Sequence, residues 1–263
     1  TILGDVNGGN LVINPATIDG NAEFFNTGLV RAVNGGTVTL DGSGSGEFAN
    51  SALGGGPDDG IMEATGNGSE LVLTNLARVF GGTLRGGSGG VVRTGDSENV
   101  FVTNTLLQGS HVVGNNSDYG IDGTVTLDAG GPLRLQAGAQ ATDLEIQSTA
   151  TLDGNGTVIL EGPLAGINGS GDFNVGSGIT IRGEGLLGQN ALRVFNAGTI
   201  LADVNGGTLS LNPSSIDANA EFINTGVARA INGGTLQLSG ASNGEFDNTG
   251  AVIEAVGPGS EVN

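Results

Sequence analysis

A stretch of 52 residues occurs twice in this chain at an offset of 198. Thr1–Ala52 and Thr199–Gly250 align without a gap and share 32 identities. Gly54–Gly60 (GGGPDDG) is then present only in the first copy, after which IMEATGNGSEL from Ile61 matches VIEAVGPGSEV from Val252. A duplication of this closeness means that one structural unit recurs along the chain, so repeat architectures come before any globular fold. Residues 1–198 are read as a super-repeat and 199–263 as the start of a second copy, within one continuous domain over 1–263.

A shorter period lies inside the unit. Phrases such as GNLVI, GTVTL and SELVL recur at Leu11, Val38, Leu71, Val100, Val125, Val158, Leu209 and Leu236, with one degenerate occurrence around Ile179–Ile181. Seven steps then cover the 198 residues, or about 28 residues per step. Within a step, three strand-like phrases alternate apolar and polar residues between turn residues, as in AEFINTG, VARAIN and GGTLQL from Ala220. No window sustains a helical period. The pattern predicts an all-β chain: a single-stranded parallel β-helix (β-solenoid) with three short strands per coil of about 28 residues, each coil stacked on the last. Right-handed winding is expected from the crossover preference of parallel strands.

Composition fits that reading. The 52 glycines have no three-residue period, which excludes collagen, and are expected at tight corners where positive φ is needed. Ten aromatic side chains, nine Phe and one Tyr, suit a narrow interior better than a wide globular core. The net charge is −19, and all eight bases are arginine. Such a balance argues against nucleic acid and anionic membrane surfaces as partners. The longest apolar runs fall far short of the ~20 residues of a membrane span, so no membrane insertion is expected. With no cysteine, disulfides and thiolate metal sites are excluded.

Two polar patterns stand out. An asparagine stands two residues after an aromatic or branched apolar residue at Asn26, Asn50, Asn196, Asn224 and Asn248, as in Phe24-Phe25-Asn26. In stacked coils these predict a structural amide ladder at one corner. Arg31 and Glu63, and likewise Arg229 and Glu254, fall one coil apart in the same register, and are expected as outward ion pairs that fix register. The Gly54–Gly60 insert, with Asp58 and Asp59, is the candidate binding loop, because solenoids carry binding function on such insertions. His111 and Tyr119 bracket an irregular stretch in which the lone histidine is read as a turn residue. Asp41–Glu47 has the opening of a calcium loop, but Ala52 stands where the closing acid belongs. No residue is therefore assigned a catalytic, cofactor or metal-binding role.

The run Phe222–Leu238, F-x-N-T-G-x-V-x-A-x-N-G-G-T-L-x-L in outline, resembles repeats of large bacterial surface exoproteins of the filamentous-haemagglutinin-like and autotransporter-passenger type. The resemblance implies an extracellular or cell-surface location, a rod or stalk segment of a filament or adhesin, and no catalysis. The sequence opens inside one coil, at TILGDV, and closes inside another, at SEVN. End-to-end self-association, or a longer array of the same repeats, is the corresponding expectation. The alternative is a module that binds carbohydrate or a surface polysaccharide through its inserts. Ice binding is more remote, since the Thr-x-Thr phrases at Thr37–Thr39 and Thr124–Thr126 are not kept at Thr208 and Thr235, and so is polysaccharide degradation, since there is no lysine and the arginines are dispersed.

Overall fold

The computed structural model describes residues 1–15, 23–43, 46–51, 60–189, 191–214, 221–240 and 244–263. Among these there are 31 strands, no helix, and only parallel strand pairs, so the chain is a parallel β-solenoid. The first coil sets out three faces. Ile2–Gly4 lies on face 1, Asn10–Ile13 on face 2 and Phe24–Phe25 on face 3. The chain then returns to stack Leu29–Ala32, Thr37–Asp41 and Glu47–Ala49 on those strands in turn. Face 2 continues as a sheet of eleven strands. Faces 1 and 3 join into one sheet of twenty, because Asp118–Leu127 and Thr142–Gly154 run through the corner between them.

Alternation along each strand supplies the core. Val38 and Leu40 point inward while Thr37 and Asp41 remain half-exposed, and the next coil repeats this with Leu71 and Leu73. Like side chains therefore stack on like, as in the face 1 row Val30, Met62, Leu84, Leu107 and Leu127. Phe48, Phe173 and Phe222 are fully buried, and the Phe24–Phe48 and Phe222–Phe246 rings meet in tilted pairs at 5.9 and 5.6 Å. Burying each large apolar side chain contributes about 1.5–3 kcal/mol. Corners use left-handed residues. Asn34-Gly35 and its copy Asn232-Gly233 all have φ between 56° and 78°, which asparagine and glycine adopt at least cost.

The coil is shorter than the spacing of the recurring phrase. One unbroken face 2 row runs Leu11, Val38, Leu71, Val92, His111, Leu133, Val158, Ile181, Ile200, Ala228, Ile253. From Leu11 to Ile253 is 242 residues in ten steps, so a coil averages about 24 residues. The reason is that the apolar phrase marks a strand, not a face. Leu71 lies on face 2, Val100 on face 3, Val125 on face 1 and Val158 on face 2 again. Each of those three steps is one coil and a third.

The duplicated unit is consequently rotated. Ile2–Gly4 is on face 1, but its copy Thr199–Ala202 is on face 2. Asn10–Ile13 is on face 2 and its copy Thr208–Leu211 on face 3, while Phe24–Phe25 is on face 3 and Phe222–Asn224 on face 1. The 198-residue unit thus contains eight and one-third coils, eight from Leu11 to Ile200 and a further face to Leu209. At ~4.8 Å per coil it rises about 40 Å.

Candidate functional site

The most regular chemistry runs along the solenoid axis, where polar side chains join one coil to the next. Asn26 Nδ2 donates to Asn50 Oδ1 at 2.7 Å, and Asn50 Nδ2 donates onward to the Thr83 carbonyl at 3.0 Å. In the second copy, Asn196 donates to Asn224 Oδ1 at 2.8 Å and Asn224 to Asn248 Oδ1 at 2.6 Å. Each amide also serves its own corner: Asn196 Oδ1 accepts the Gly198 N–H and Asn224 Oδ1 the Gly226 N–H. The five asparagines do not share one corner. Asn26 and Asn50 close the turn from face 3 to face 1, whereas the other three close the turn from face 1 to face 2. The one-third-turn offset of the repeat splits the ladder in two.

The ion pairs obey the same offset. Arg31 and Glu63 are register partners on face 1 and are bonded to each other, while Arg229 and Glu254 are partners on face 2, 2.5 Å apart. Glu63 is only 2% exposed because a second arginine, Arg85, reaches it from the following coil at 3.0 Å. Gln108 extends that row, accepting from Arg85 Nε at 3.0 Å. Arg85 and Gln108 carry no repeat signal, and only the coil register brings them beside Glu63. Arg93–Glu70, Arg134–Glu161, Arg182–Asp203 and Arg193–Asp172 are further pairs between adjacent coils. Among the described residues, Arg78 is the one arginine without a carboxylate partner; its guanidinium lies over the Phe101 ring, 4.5 Å from the centroid.

Several titratable groups are buried. His111 is not a turn residue: it sits in the strand His111–Val113, inside the face 2 row between Val92 and Leu133, and is 2% exposed. Burial pushes its pKa down to about 4, against weaker hydrogen bonding to the Gln108 and Leu84 backbone, so it is neutral at pH 7. Burial also raises the Tyr119 phenol, whose hydroxyl has no partner. Asp143 and Asp118 are register partners on face 3. Burial first, and the Asp118 charge second, push Asp143 up to about 6, and its Oδ1 has no hydrogen-bond partner. Asp118 is itself raised by burial.

Asp41 is tied into its own corner. It accepts from the Ser43 hydroxyl and N–H and from Asn75 Nδ2, and the Ser43 hydroxyl bond leads in holding its pKa down. Among the described residues there is no cluster of three or more His, Cys, Asp or Glu side chains that could hold a metal ion. Asp58 and Asp59 of the insert lie outside the described residues. No helix among the described residues is long and apolar enough to cross a membrane. Comparison with protein-family models, curated proteins and solved structures returned no match.

Proposed function

We propose that this chain is a structural rod segment of an extracellular surface filament or adhesin, working within a longer array of the same repeats or by end-to-end association with other copies. The observation that carries this reading is the direction of its polar bonding. Among the described residues, seven of the eight arginines and all five corner asparagines bond to a neighbouring coil. Added to three rows of parallel strands, these contacts lie along the axis, where tension and bending act on a stalk. In-register amide ladders of this kind also give cross-β stacks their cohesion. The acidic surface keeps such rods from collapsing on one another. On this reading, the surface location follows from the likeness to exoprotein repeats.

Electron microscopy and fibre diffraction of material from the native source test the proposal. Continuous fibres with an axial repeat near 4.8 Å are expected. Isolated short rods free of the cell surface would overturn it.

A further inference from the structure

Arg78 is the exception to the pairing of arginines with carboxylates of a neighbouring coil, and it borders a depression on face 3. The depression, about 200 Å³, spans four coils and is lined by Arg78, Phe80, Phe101, Asp122, Gln147 and Ser148. Two outward rows build it. Arg78 and Phe101 are register partners in one, and Phe80, Thr103 and Asp122 follow one another in the next. The Phe101 ring lies down over Gly120: a Cβ there would stand 2.3 Å from Phe101 Cδ1 and 3.2 Å from Gln147 Nε2. A glycine thus lets an aromatic ring lie against the sheet instead of standing in solvent. Asp122 accepts from the Ser148 hydroxyl at 2.7 Å, which fixes its carboxylate at the rim.

The geometry points to this depression as a binding site for one pyranose ring of a neutral, extended glycan, an assignment independent of the stalk reading. Aromatic faces carry negative charge density that attracts the C–H face of a sugar. Phe80 offers the apolar wall, and Phe101, with the Arg78 guanidinium stacked on its ring, holds that guanidinium at the rim. The Arg78 guanidinium brings planar donors that make no hydrogen bond to another described residue, and Asp122 and Gln147 bring acceptors, the complement that vicinal hydroxyls need. The volume is below the roughly 300–1,000 Å³ of sites that enclose drug-sized ligands, so one ring enters and its chain continues outside. The Phe80 row leads through Ala49 to Phe25, two coils away and 52% exposed, which gives a second ring about 10 Å along the axis. Neutral sugars fit better than acidic ones: Glu47 is the register partner of Arg78, Asp122 stands opposite, and the whole chain carries −19.

The test is titration of the full 263-residue chain with β-1,4- and β-1,3-linked glucose tetramers, methyl glucoside and a galacturonic acid tetramer, followed by amide chemical shifts and calorimetry. A neutral tetramer is expected to bind more tightly than the monomer, with shifts clustered at 78–80, 101–103, 120–122 and 147–148. Phe101→Ala and Arg78→Gln should each weaken binding at least tenfold. Arg78→Gln alters no core contact, so it decides the matter even if Phe101→Ala lowers the melting temperature. Absence of binding at millimolar sugar, shifts at other positions, preference for the acidic tetramer, or wild-type affinity in Arg78→Gln would each overturn the assignment.

Discussion

Replacing Asp143 by asparagine should stabilise the solenoid at neutral pH, and the gain should vanish in acid. Asp143 is 7% exposed, its Oδ1 has no partner, and Asp118 stands directly opposite on the preceding coil. Like charges in register on adjacent strands oppose pairing. In the unfolded chain the carboxyl loses its proton near 3.8, and in the folded chain near 6. Between those values the folded state holds the extra proton, so stability falls as pH rises through the window; the full cost is present above about 6 and absent below about 4. Two units at 1.36 kcal/mol each set an upper bound of about 3 kcal/mol. Residual solvent screening of a carboxyl that is not fully buried reduces this to about 1–2 kcal/mol. His111 works in the opposite sense. With its folded pKa lowered from 6.5 to about 4, it contributes stability above 6.5 that is lost as pH falls towards 4. The two effects overlap, so the unmodified chain should show a flattened profile. Subtracting wild type from Asp143→Asn cancels the histidine and exposes the aspartate. Urea unfolding at matched ionic strength, from pH 7.5 down to 4, should give a difference of about 1–2 kcal/mol at the top that shrinks to zero at the bottom. A destabilised variant at pH 7.5, or a difference that ignores pH, would refute the argument.

Asn224→Ala should cost about 2–3 kcal/mol, because it removes the shortest bond of the buried Asn196 amide together with the bonds to Asn248 Oδ1 and the Val252 carbonyl, whereas Asn248→Ala at the more exposed end should cost less than about 1 kcal/mol. Chemical denaturation of both variants checks the gradient, and equal losses would count against an amide ladder. His111→Leu should change stability by less than about 1 kcal/mol at pH 7, since removal of the unpartnered Nδ1 from an apolar row offsets the lost Nε2 bond to the Gln108 carbonyl, and should abolish the loss of stability between pH 6.5 and 4; thermal melts across that range read it out. The chain has no native cysteine, so register can be tested by cross-linking. Val72→Cys with Arg93→Cys, which are register partners, should oxidise to a disulfide, and Val72→Cys with Phe101→Cys should stay reduced, as mass spectrometry of free thiols would show.

Much of the fold was legible because it depends on local alternation. Strands such as Glu70–Thr74 and Val227–Ala230 carry their inward and outward residues in strict turn, and the gapless duplication required a repeat architecture. The coil length was less legible, because a two-residue alternation looks the same on all three faces. Nothing in GTVTL at Val125 says that it lies on face 1, whereas GTVTL at Val38 lies on face 2. Where Asn26 and Asn50 are absent, the corner between faces 3 and 1 can be silent in sequence as well, since Thr142–Gly154 passes it without a break in strand. The axial pairs follow the same division. Arg31 and Glu63 are close repeat relatives of Arg229 and Glu254 and could be read from the copies alone. Arg85, Gln108 and the Arg78–Phe101 stack depend on coils of 19 to 25 residues that have no copy in the chain.

The rotation of the repeat bears on how such a chain diverges. A strand in this solenoid touches the coil below, the coil above and the narrow core; it has no contact that identifies its face. Thr199–Ala202 therefore packs on face 2 as well as its counterpart Ile2–Gly4 packs on face 1, and Arg229 finds Glu254 there as Arg31 finds Glu63. Selection for folding acts on each coil's match to its neighbours, not on absolute direction. A duplication that adds a third of a turn is then tolerated as readily as one that closes on itself. Its consequence is geometric: whatever a unit displays at a corner is presented one face further round after about 40 Å. Three units, 594 residues and 25 coils, would return it to the starting face. A rod built this way presents its repeated surface in all directions around its axis, and a flat sheet of rods bonded through one constant face is incompatible with it.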